Sequence, residues 1–116
     1  MKILFTKNYG KEKFDKIKEL GYETIYYNEK VVTNNEDTDN ADILVTYNPF
    51  KTLDISKMNN LKYIQTTSIG IDQIPLDKIA NRDIIIANNK GGYSVPIGEW
   101  IVMCILEIYK NSKKLY

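Results

Sequence analysis

The sequence of 116 residues contains no histidine, a single cysteine and a single arginine. Without histidine, the chain lacks the side chain that most often transfers protons near neutral pH and most often binds metal ions. The lone cysteine, Cys104, excludes an internal disulfide framework and a cysteine-rich zinc site. Because Arg82 is the only arginine, we expect no bidentate side-chain clamp for a carboxylate.

The sequence also lacks a long apolar run and a strong charge of either sign. Its longest apolar segment, residues 97–109, is shorter than the ~20 residues that span a bilayer, and it contains Glu99 and Glu107. The apolar run at the N-terminus is too short for a signal peptide. A formal net charge of +1 provides no field that attracts nucleic acid or anionic lipid. We therefore expect a cytoplasmic protein that binds neither nucleic acid nor membranes.

What the chain does contain is a regular alternation of short apolar runs and helix-like stretches. The apolar runs predict strands at residues 2–6, 23–27, 42–46, 62–66 and 84–87. Continuous apolar strands that alternate with helices indicate a parallel sheet covered on both faces. The fold class is therefore α/β, a flavodoxin-like doubly wound parallel sheet of about five strands that ends in a long helix.

The helix-like stretches differ in length and strength. Phe14, Ile17 and Leu20 predict an amphipathic helix that ends at Gly21, with Glu12 and Lys16 paired on its exposed face. Short helices are expected within residues 52–58 and 75–80, and a long apolar helix over residues 95–111. Residues 28–40 are acidic and rich in asparagine, which predicts mostly a solvated loop.

Three loops follow predicted strands, where open α/β sheets bind ligands. They are residues 7–10, 47–50 and 66–72, and the third is the most informative. In it, Ser68-Ile69-Gly70 follows a strand, and a glycine with positive φ would leave consecutive backbone amides free to bind an anion. The alternative is an ordinary turn in which Ser68 caps its own backbone.

Several motifs are absent from the sequence. There is no G-x-G-x-x-G and no G-x-x-x-x-G-K-[ST], so the chain holds no recognisable phosphate loop for a dinucleotide or a nucleoside triphosphate. Asp37, Asp39 and Asp42 lack the glycine and final glutamate of a calcium loop. We therefore expect neither a metal site nor cofactor-binding residues in this chain.

The stretch from Leu61 to Ile74, which reads LKYIQTTSIGIDQI, resembles the substrate-domain signature of NAD-dependent D-isomer-specific 2-hydroxyacid dehydrogenases. The resemblance continues through the strand at residues 84–88 and reaches residues 94–100, which look like the family's "S-V-A-E-H" helix start. The strands at residues 1–5 and 42–45 also fall in the family's order. The resemblance therefore covers nearly the whole chain.

The resemblance implies a substrate-binding domain at residues 1–94 and a helix at 95–116 that leads into a nucleotide-binding domain beyond this chain. In the family that second domain carries the catalytic Arg, Glu and His and binds NAD or NADP, so the resemblance implies a chain that is inactive alone and binds no cofactor tightly. It implies that the amides of Ser68, Ile69 and Gly70 bind the carboxylate of a small 2-hydroxy or 2-oxo acid. Tyr47 and Asn48 would line the other side of the cleft. No catalytic residue is carried over.

The sequence departs from the family pattern in the last helix. The family often has His where this chain has Trp100, and commonly Thr where it has Ile101. No cofactor contact is therefore carried over to that helix. The alternative function is a stand-alone, non-enzymatic flavodoxin-like binding or dimerisation module, because the apolar face of the last helix needs cover and a homodimer would provide it.

Overall fold

The computed structural model describes residues 1–89 and residue 102. Five short strands form one sheet: β1 Lys2–Phe5, β2 Glu23–Tyr26, β3 Ile43–Thr46, β4 Tyr63–Thr66 and β5 Ile85–Ala87. Two α-helices, α1 Lys11–Glu19 and α2 Glu36–Asp39, and two 3₁₀ turns, Ile55–Lys57 and Leu76–Ile79, connect them. All five strands lie within one residue of the boundaries predicted from the apolar runs.

The strands are all parallel and follow the order β2-β1-β3-β4-β5. This is the flavodoxin-like order of a doubly wound sheet, in which the direction of winding reverses between β1 and β3. Leu4 pairs in register with Leu44, and Leu44 with Ile64. The predicted α/β class with a flavodoxin-like parallel sheet of about five strands is confirmed, and the carboxyl ends of all five strands meet at one edge of the sheet.

The two faces of the sheet are covered by different residues because side chains alternate along each strand. On one face, Leu4, Leu44 and Ile64 are fully buried in the main core. The other members of that cluster are Val32, Ala41, Leu53, Ile55, Met58, Leu61, Ile74 and Ile79. On the opposite face, the ring of Phe5 packs edge-on against Phe14 of α1, with ring centroids 5.0 Å apart.

Helix α1 lies between two glycines with positive φ, Gly10 at +93° and Gly21 at +95°. Gly21 therefore ends the helix as predicted, and the Glu12–Lys16 ion pair is present at 3.5 Å. Leu20 does not belong to the packed face, however, because it caps the helix and is 76% exposed. The helix contains no fully buried residue and packs mainly through half-buried Phe14 and Ile17.

The acidic segment 28–40 is more ordered than the predicted solvated loop. Asn35 and Thr38 form a reciprocal capping box that starts α2, and the side chain of Thr38 is fully buried. Asp37 accepts hydrogen bonds from Lys2 Nζ at 3.3 Å and from Tyr27 Oη at 3.2 Å. Partners 10 and 35 residues away in sequence, which a charge pattern does not reveal, hold this segment in place.

The short helices predicted within 52–58 and 75–80 are both single 3₁₀ turns. The boundary at residue 94, the "S-V-A-E-H"-like segment 94–100 and the long helix from residue 95 lie outside the described residues. Val102, which is described, is helical and 55% exposed. In the described part of the chain, no helix is long and apolar enough to cross a membrane.

Candidate functional site

A cavity of about 720 Å³ opens at the carboxyl edge of the sheet, over the point where winding reverses. It is lined by Lys7, Tyr9, Val45, Tyr47, Gln65, Thr66, Thr67, Ser68, Ile69 and Asn89. The structure thus brings together three of the five residues predicted for the site, Ser68, Ile69 and Tyr47. Gly70 does not line this cavity, and Asn48 lines a neighbouring one of about 390 Å³ together with Tyr47.

The loop that follows β4 is held through its backbone carbonyls. In residues 67–70 of this loop, each of the four backbone carbonyl oxygens accepts a hydrogen bond. The Thr67 carbonyl accepts from Asn89 Nδ2 at 3.4 Å, and the Ser68 carbonyl accepts from the Asn89 amide at 2.9 Å. The Ile69 carbonyl accepts from Asn88 Nδ2 at 2.8 Å, and the Gly70 carbonyl accepts from Ser68 Oγ at 2.7 Å. Three of these bonds come from the two asparagines after β5. The neighbouring strand therefore positions this loop.

The amides of the same loop are in the opposite situation. No acceptor among residues 1–89 takes a hydrogen bond from the amide of Ser68, Ile69 or Gly70. The carbonyls are thus occupied while these three amides have no partner among residues 1–89, and amides without a protein acceptor are what binding an anion through the backbone requires. Gly70 does not have a positive φ, so the left-handed glycine expected from the sequence is not how this loop is built.

Three threonines stand at the carboxyl ends of the three central strands beside the cavity. Thr6, Thr46 and Thr66 are all buried, with exposed fractions of 4%, 2% and 1%. The hydroxyls of Thr6 and Thr46 are 2.6 Å apart, and Thr66 Oγ1 donates to the carbonyl of Ser68 at 3.1 Å. These three threonines therefore connect the ends of the strands to the neighbouring loops. They could have been found from the sequence, because each of the three predicted strands ends in threonine.

Glu29 closes the hydrogen-bond network on the β2 side of the cavity. Its Oε1 accepts four hydrogen bonds, from the hydroxyls of Thr6 at 3.0 Å and Thr46 at 2.8 Å, and from the amides of Tyr47 at 2.8 Å and Asn48 at 2.9 Å. The acidic residue read as a solvated connector is therefore an anchor for the loop after β3. Both amides of the predicted Tyr47-Asn48 pair are occupied by this internal carboxylate.

The charge of Glu29 is stabilised by its surroundings. Partial burial of the carboxylate acts to raise its pKa, but the two amides and two hydroxyls that donate to it outweigh burial and hold the pKa below its ordinary value. The pKa of the neighbouring Tyr9 phenol is raised, first by its own burial and then by the negative charge of Glu29. Tyr9 therefore lines the cavity as a neutral phenol at physiological pH.

A single side chain connects the two loops that border the cavity. Gln73 Nε2 donates to the carbonyl of Tyr47 at 3.0 Å and to Ser68 Oγ at 2.8 Å. Ser68 Oγ in turn donates to the carbonyl of Gly70. The hydroxyl of Ser68 thus has a fixed direction and stabilises its own loop, in agreement with the local role considered from the sequence.

Arg82 lies away from this cavity. Its guanidinium donates to the carbonyls of Ile55, Met58, Asn59 and Leu61 at 2.8–3.4 Å. Leu61 precedes β4 and Arg82 precedes β5, so these contacts lie at the amino edge of the sheet. The expectation that this arginine does not clamp a carboxylate agrees with its use as a backbone anchor.

In a doubly wound sheet, the junction between the first strand and the first helix is where a dinucleotide would be held. The β1–α1 junction has one glycine with positive φ, Gly10, and the side-chain oxygen of Asn8 accepts from its amide at 2.9 Å. The further glycines that allow close approach to a diphosphate are missing there. This junction therefore does not fit the group, and residues 1–89 and 102 contain no cluster of three or more His, Cys, Asp or Glu that could hold a metal ion.

Strand order and cavity position define the class: a doubly wound α/β domain with a cavity at the carboxyl edge of its sheet, the edge at which such sheets bind ligands. The chain belongs to the family "D-isomer specific 2-hydroxyacid dehydrogenase, catalytic domain", which matches residues 3–101. The family predicted from the sequence signature is thereby confirmed.

Individual relatives agree with the family. Over 54 residues the chain is 35% identical to erythronate-4-phosphate dehydrogenase of Shewanella violacea, a match that covers 47% of this chain and 14% of that protein. The structure of phosphoglycerate dehydrogenase from Lactobacillus plantarum aligns with a TM-score of 0.64 at 21% identity, covering 97% of this chain and 36% of that one. D-mandelate dehydrogenase of Rhodotorula graminis gives a TM-score of 0.55 at 13% identity, covering 97% and 38%. At these identities the structural likeness establishes the fold, and this chain spans well under half the length of each relative.

Proposed function

We propose that this chain is the substrate-binding part of an oxidoreductase that transfers a hydride between NAD or NADP and a small D-2-hydroxy or 2-oxo acid. In this proposal the amides of Ser68, Ile69 and Gly70 bind the substrate carboxylate. The observation that supports it is the loop after β4, in which all four carbonyls are engaged and these amides have no acceptor among residues 1–89. Ser68 and Ile69 line the 720 Å³ cavity.

Backbone amides suit this task because they bind an anion without an opposing side-chain charge. A carboxylate that accepts two or three backbone hydrogen bonds is strongly stabilised. Lys7 is the only charged residue that lines the cavity in the described part of the chain. Tyr9 and Tyr47 supply apolar rings beside it. The site therefore suits a small organic acid, with the carboxylate held on the β4 side.

The chain's own residues do not supply the proton relay in this proposal. The sequence has no histidine, Arg82 is committed to four carbonyls at the opposite edge of the sheet, and Glu29 is held ionised by four donors. None of them is placed to polarise the substrate or exchange a proton with it. The proposed division of labour therefore assigns proton transfer and cofactor binding to residues outside those described here.

The binding step can be tested by titrating the ¹⁵N-labelled 116-residue chain with pyruvate and recording amide chemical shifts. We expect the amides of Ser68, Ile69 and Gly70 to shift progressively, since they are the proposed donors. Pyruvamide, which has the same shape and no negative charge, is the matched control and should leave them in place. Equal shifts with both compounds, or no shift at residues 68–70 with pyruvate, would refute the carboxylate site.

The catalytic part of the proposal needs a separate assay. Oxidation of NADH and NADPH should be followed with a panel of 2-oxo acids, and we expect no turnover by the 116-residue chain. Turnover by this chain alone would overturn the proposed division of labour. If the reading frame continues past Tyr116, turnover by the longer product alone would support it.

The alternative, a non-enzymatic binding or dimerisation module, depends on the apolar helix that the sequence predicts from residue 95. Because that helix lies outside the described residues, no observation on residues 1–89 favours this alternative. Size-exclusion chromatography of the chain tests it directly. Elution above the 13.5 kDa expected for a monomer would support dimerisation, and monomeric elution would count against it.

A further inference from the structure

The two loops at the cavity are connected by a directed chain of hydrogen bonds. The Glu29 carboxylate accepts from the Tyr47 amide at 2.8 Å, and the Tyr47 carbonyl accepts from Gln73 Nε2 at 3.0 Å. The same Nε2 donates to Ser68 Oγ at 2.8 Å, and this hydroxyl donates to the Gly70 carbonyl at 2.7 Å. Side chains from separate segments therefore hold the backbone of Tyr47 on both sides, and one of them also contacts the proposed anion-binding loop.

We propose that Gln73 is a positioning residue that couples the Tyr47 wall of the cavity to the anion-binding amides of Ser68 and Ile69. This inference rests on the proposed carboxylate site and adds a residue that neither the sequence signature nor the cavity lining assigns to it. Gln73 does not line the cavity. It acts through the groups that do, which makes it a positioning residue and not a catalytic one.

The chemistry of a glutamine amide explains why this residue type suits the position. Its nitrogen carries two hydrogens, so one atom can donate to both loops at once. Because Gln73 supplies a donor, Ser68 Oγ accepts there and its own proton is committed to Gly70. The direction of the Ser68 hydroxyl therefore follows from the Gln73 donor, while the other bonds have the direction that their backbone amide and carbonyl groups impose. Bonds aligned in this way polarise one another and strengthen the whole network.

A consequence for ligand binding follows from this geometry. An anion that draws the Ser68 and Ile69 amides towards it pulls on a loop whose serine hydroxyl is bonded to Gln73. The displacement is transmitted to the carbonyl of Tyr47, whose own amide is held by Glu29. Tyr47, which is 55% exposed at the cavity, should therefore respond to a ligand bound at the loop that follows the neighbouring strand.

The test is a comparison of pyruvate titrations of the ¹⁵N-labelled full chain, wild type against Gln73→Met. Methionine has nearly the same length and shape but donates no hydrogen bond. In the wild type we expect the Tyr47 amide to shift with the same half-saturation concentration as Ser68 and Ile69. In Gln73→Met the Tyr47 shift should be lost, and half-saturation at Ser68 and Ile69 should rise about three- to tenfold, as expected for losing one or two hydrogen bonds.

Two further variants make the result interpretable. Asp77→Ala is the matched control, because Asp77 lies exposed on the neighbouring 3₁₀ turn, and it should titrate like the wild type. Gln73→Glu, which is isosteric and cannot donate when ionised, should uncouple Tyr47 in the same way and serves if Gln73→Met does not fold. A variant that is merely less stable would change the chemical-shift responses of Tyr47 and Ser68 together. Loss of the Tyr47 response while Ser68 still responds is therefore specific to the coupling.

The possible outcomes distinguish this inference from the proposal beneath it. If wild-type Ser68 and Ile69 shift with pyruvate and Tyr47 follows them equally well in both Gln73 variants, the coupling role is wrong and the carboxylate site stands. If no wild-type amide at residues 68–70 shifts, the carboxylate site itself is wrong and the coupling falls with it. Loss of the Tyr47 response in both variants, with Asp77→Ala unchanged, supports the role of Gln73.

Discussion

Glu29 offers the sharpest test of how the cavity edge is held together, because one oxygen atom accepts four hydrogen bonds. Replacing it with alanine removes the acceptor from two buried hydroxyls and two backbone amides. Replacing it with glutamine keeps a carbonyl oxygen of similar reach but removes the charge. The pair of variants therefore separates the contribution of the charge from that of the acceptor.

The expected loss of unfolding free energy on replacing Glu29 is less than four times the contribution of a single hydrogen bond. Once the carboxylate is removed, one of the Thr6 and Thr46 hydroxyls, which lie 2.6 Å apart, can donate to the other, and the amides of Tyr47 and Asn48 are exposed enough to bond to water. A hydrogen bond to a charged group contributes about 1.5–3 kcal/mol. For Glu29→Ala we therefore expect a loss of about 2–3 kcal/mol, and for Glu29→Gln a loss of about 1 kcal/mol.

The contribution of Glu29 should also depend on pH in a defined direction. Its pKa in the folded protein is lowered from the ordinary 4.5, so the unfolded chain takes up a proton first as pH falls. Protons therefore favour unfolding here. The stabilisation is complete above the ordinary pKa and is lost as pH falls through the lowered value. The difference between wild type and Glu29→Gln should be constant between about pH 6 and 8 and shrink below about pH 4.5.

Urea unfolding followed by circular dichroism measures both effects, at neutral pH and in a series down to about pH 3.5. Glu19→Ala is the control, because Glu19 is exposed at the end of α1, and it should change stability by less than about 0.5 kcal/mol. If Glu29→Ala is as stable as Glu19→Ala, the carboxylate does not anchor the loop. A wild-type advantage over Glu29→Gln that grows below about pH 4.5 would contradict the lowered pKa.

Three further substitutions, one of them with its own control variant, test other features of the fold by thermal or urea unfolding. Arg82→Lys should cost about 1–2 kcal/mol, because an ammonium cannot reach the four carbonyls that the guanidinium holds, and an unchanged midpoint would refute that role. Gly10→Ala should cost about 1–3 kcal/mol from backbone strain alone, since φ is +93° and an added Cβ meets nothing within 4 Å. Gly70→Ala, where φ is not positive, is its control and should stay within about 0.5 kcal/mol; equal losses would contradict the strain. Lys16→Ala should cost under about 0.5 kcal/mol because its pair with Glu12 is exposed, and a larger loss would show that the pair is worth more than an isolated surface bridge.

The sheet could be predicted from the sequence because its signals are local. Short runs rich in apolar, β-branched and aromatic residues between polar connectors mark each strand, and their alternation with helix-like stretches indicates a parallel sheet. The glycine that ends α1 and the Glu12–Lys16 pair also involve only neighbouring residues. The family signature at residues 61–74 belongs to the same class of signal, since it lies within one strand and its following loop.

The candidate site could be predicted only in part. Ser68 and Ile69 lie at the cavity, as expected from a polar loop directly after a strand, and Tyr47 joins them from the loop after β3. The expected left-handed Gly70 was wrong. The carbonyls of Thr67 and Ile69 in this loop are bonded to asparagines that follow β5, and these partners some 20 residues further along the chain could not be predicted from the loop's own sequence.

The sequence by itself determined the strands, their parallel arrangement, the family and the absence of histidine chemistry. Only the tertiary structure decided that Glu29 anchors the loop after β3 and that Gln73 bridges Tyr47 and Ser68. The physical reason is the crossover that places β1 beside β3, which brings Thr6 and Thr46, 40 residues apart, to a distance of 2.6 Å. The carboxylate of Glu29 acquires its partners only when this crossover brings the ends of β1 and β3 together, and the local sequence around Glu29 does not specify them.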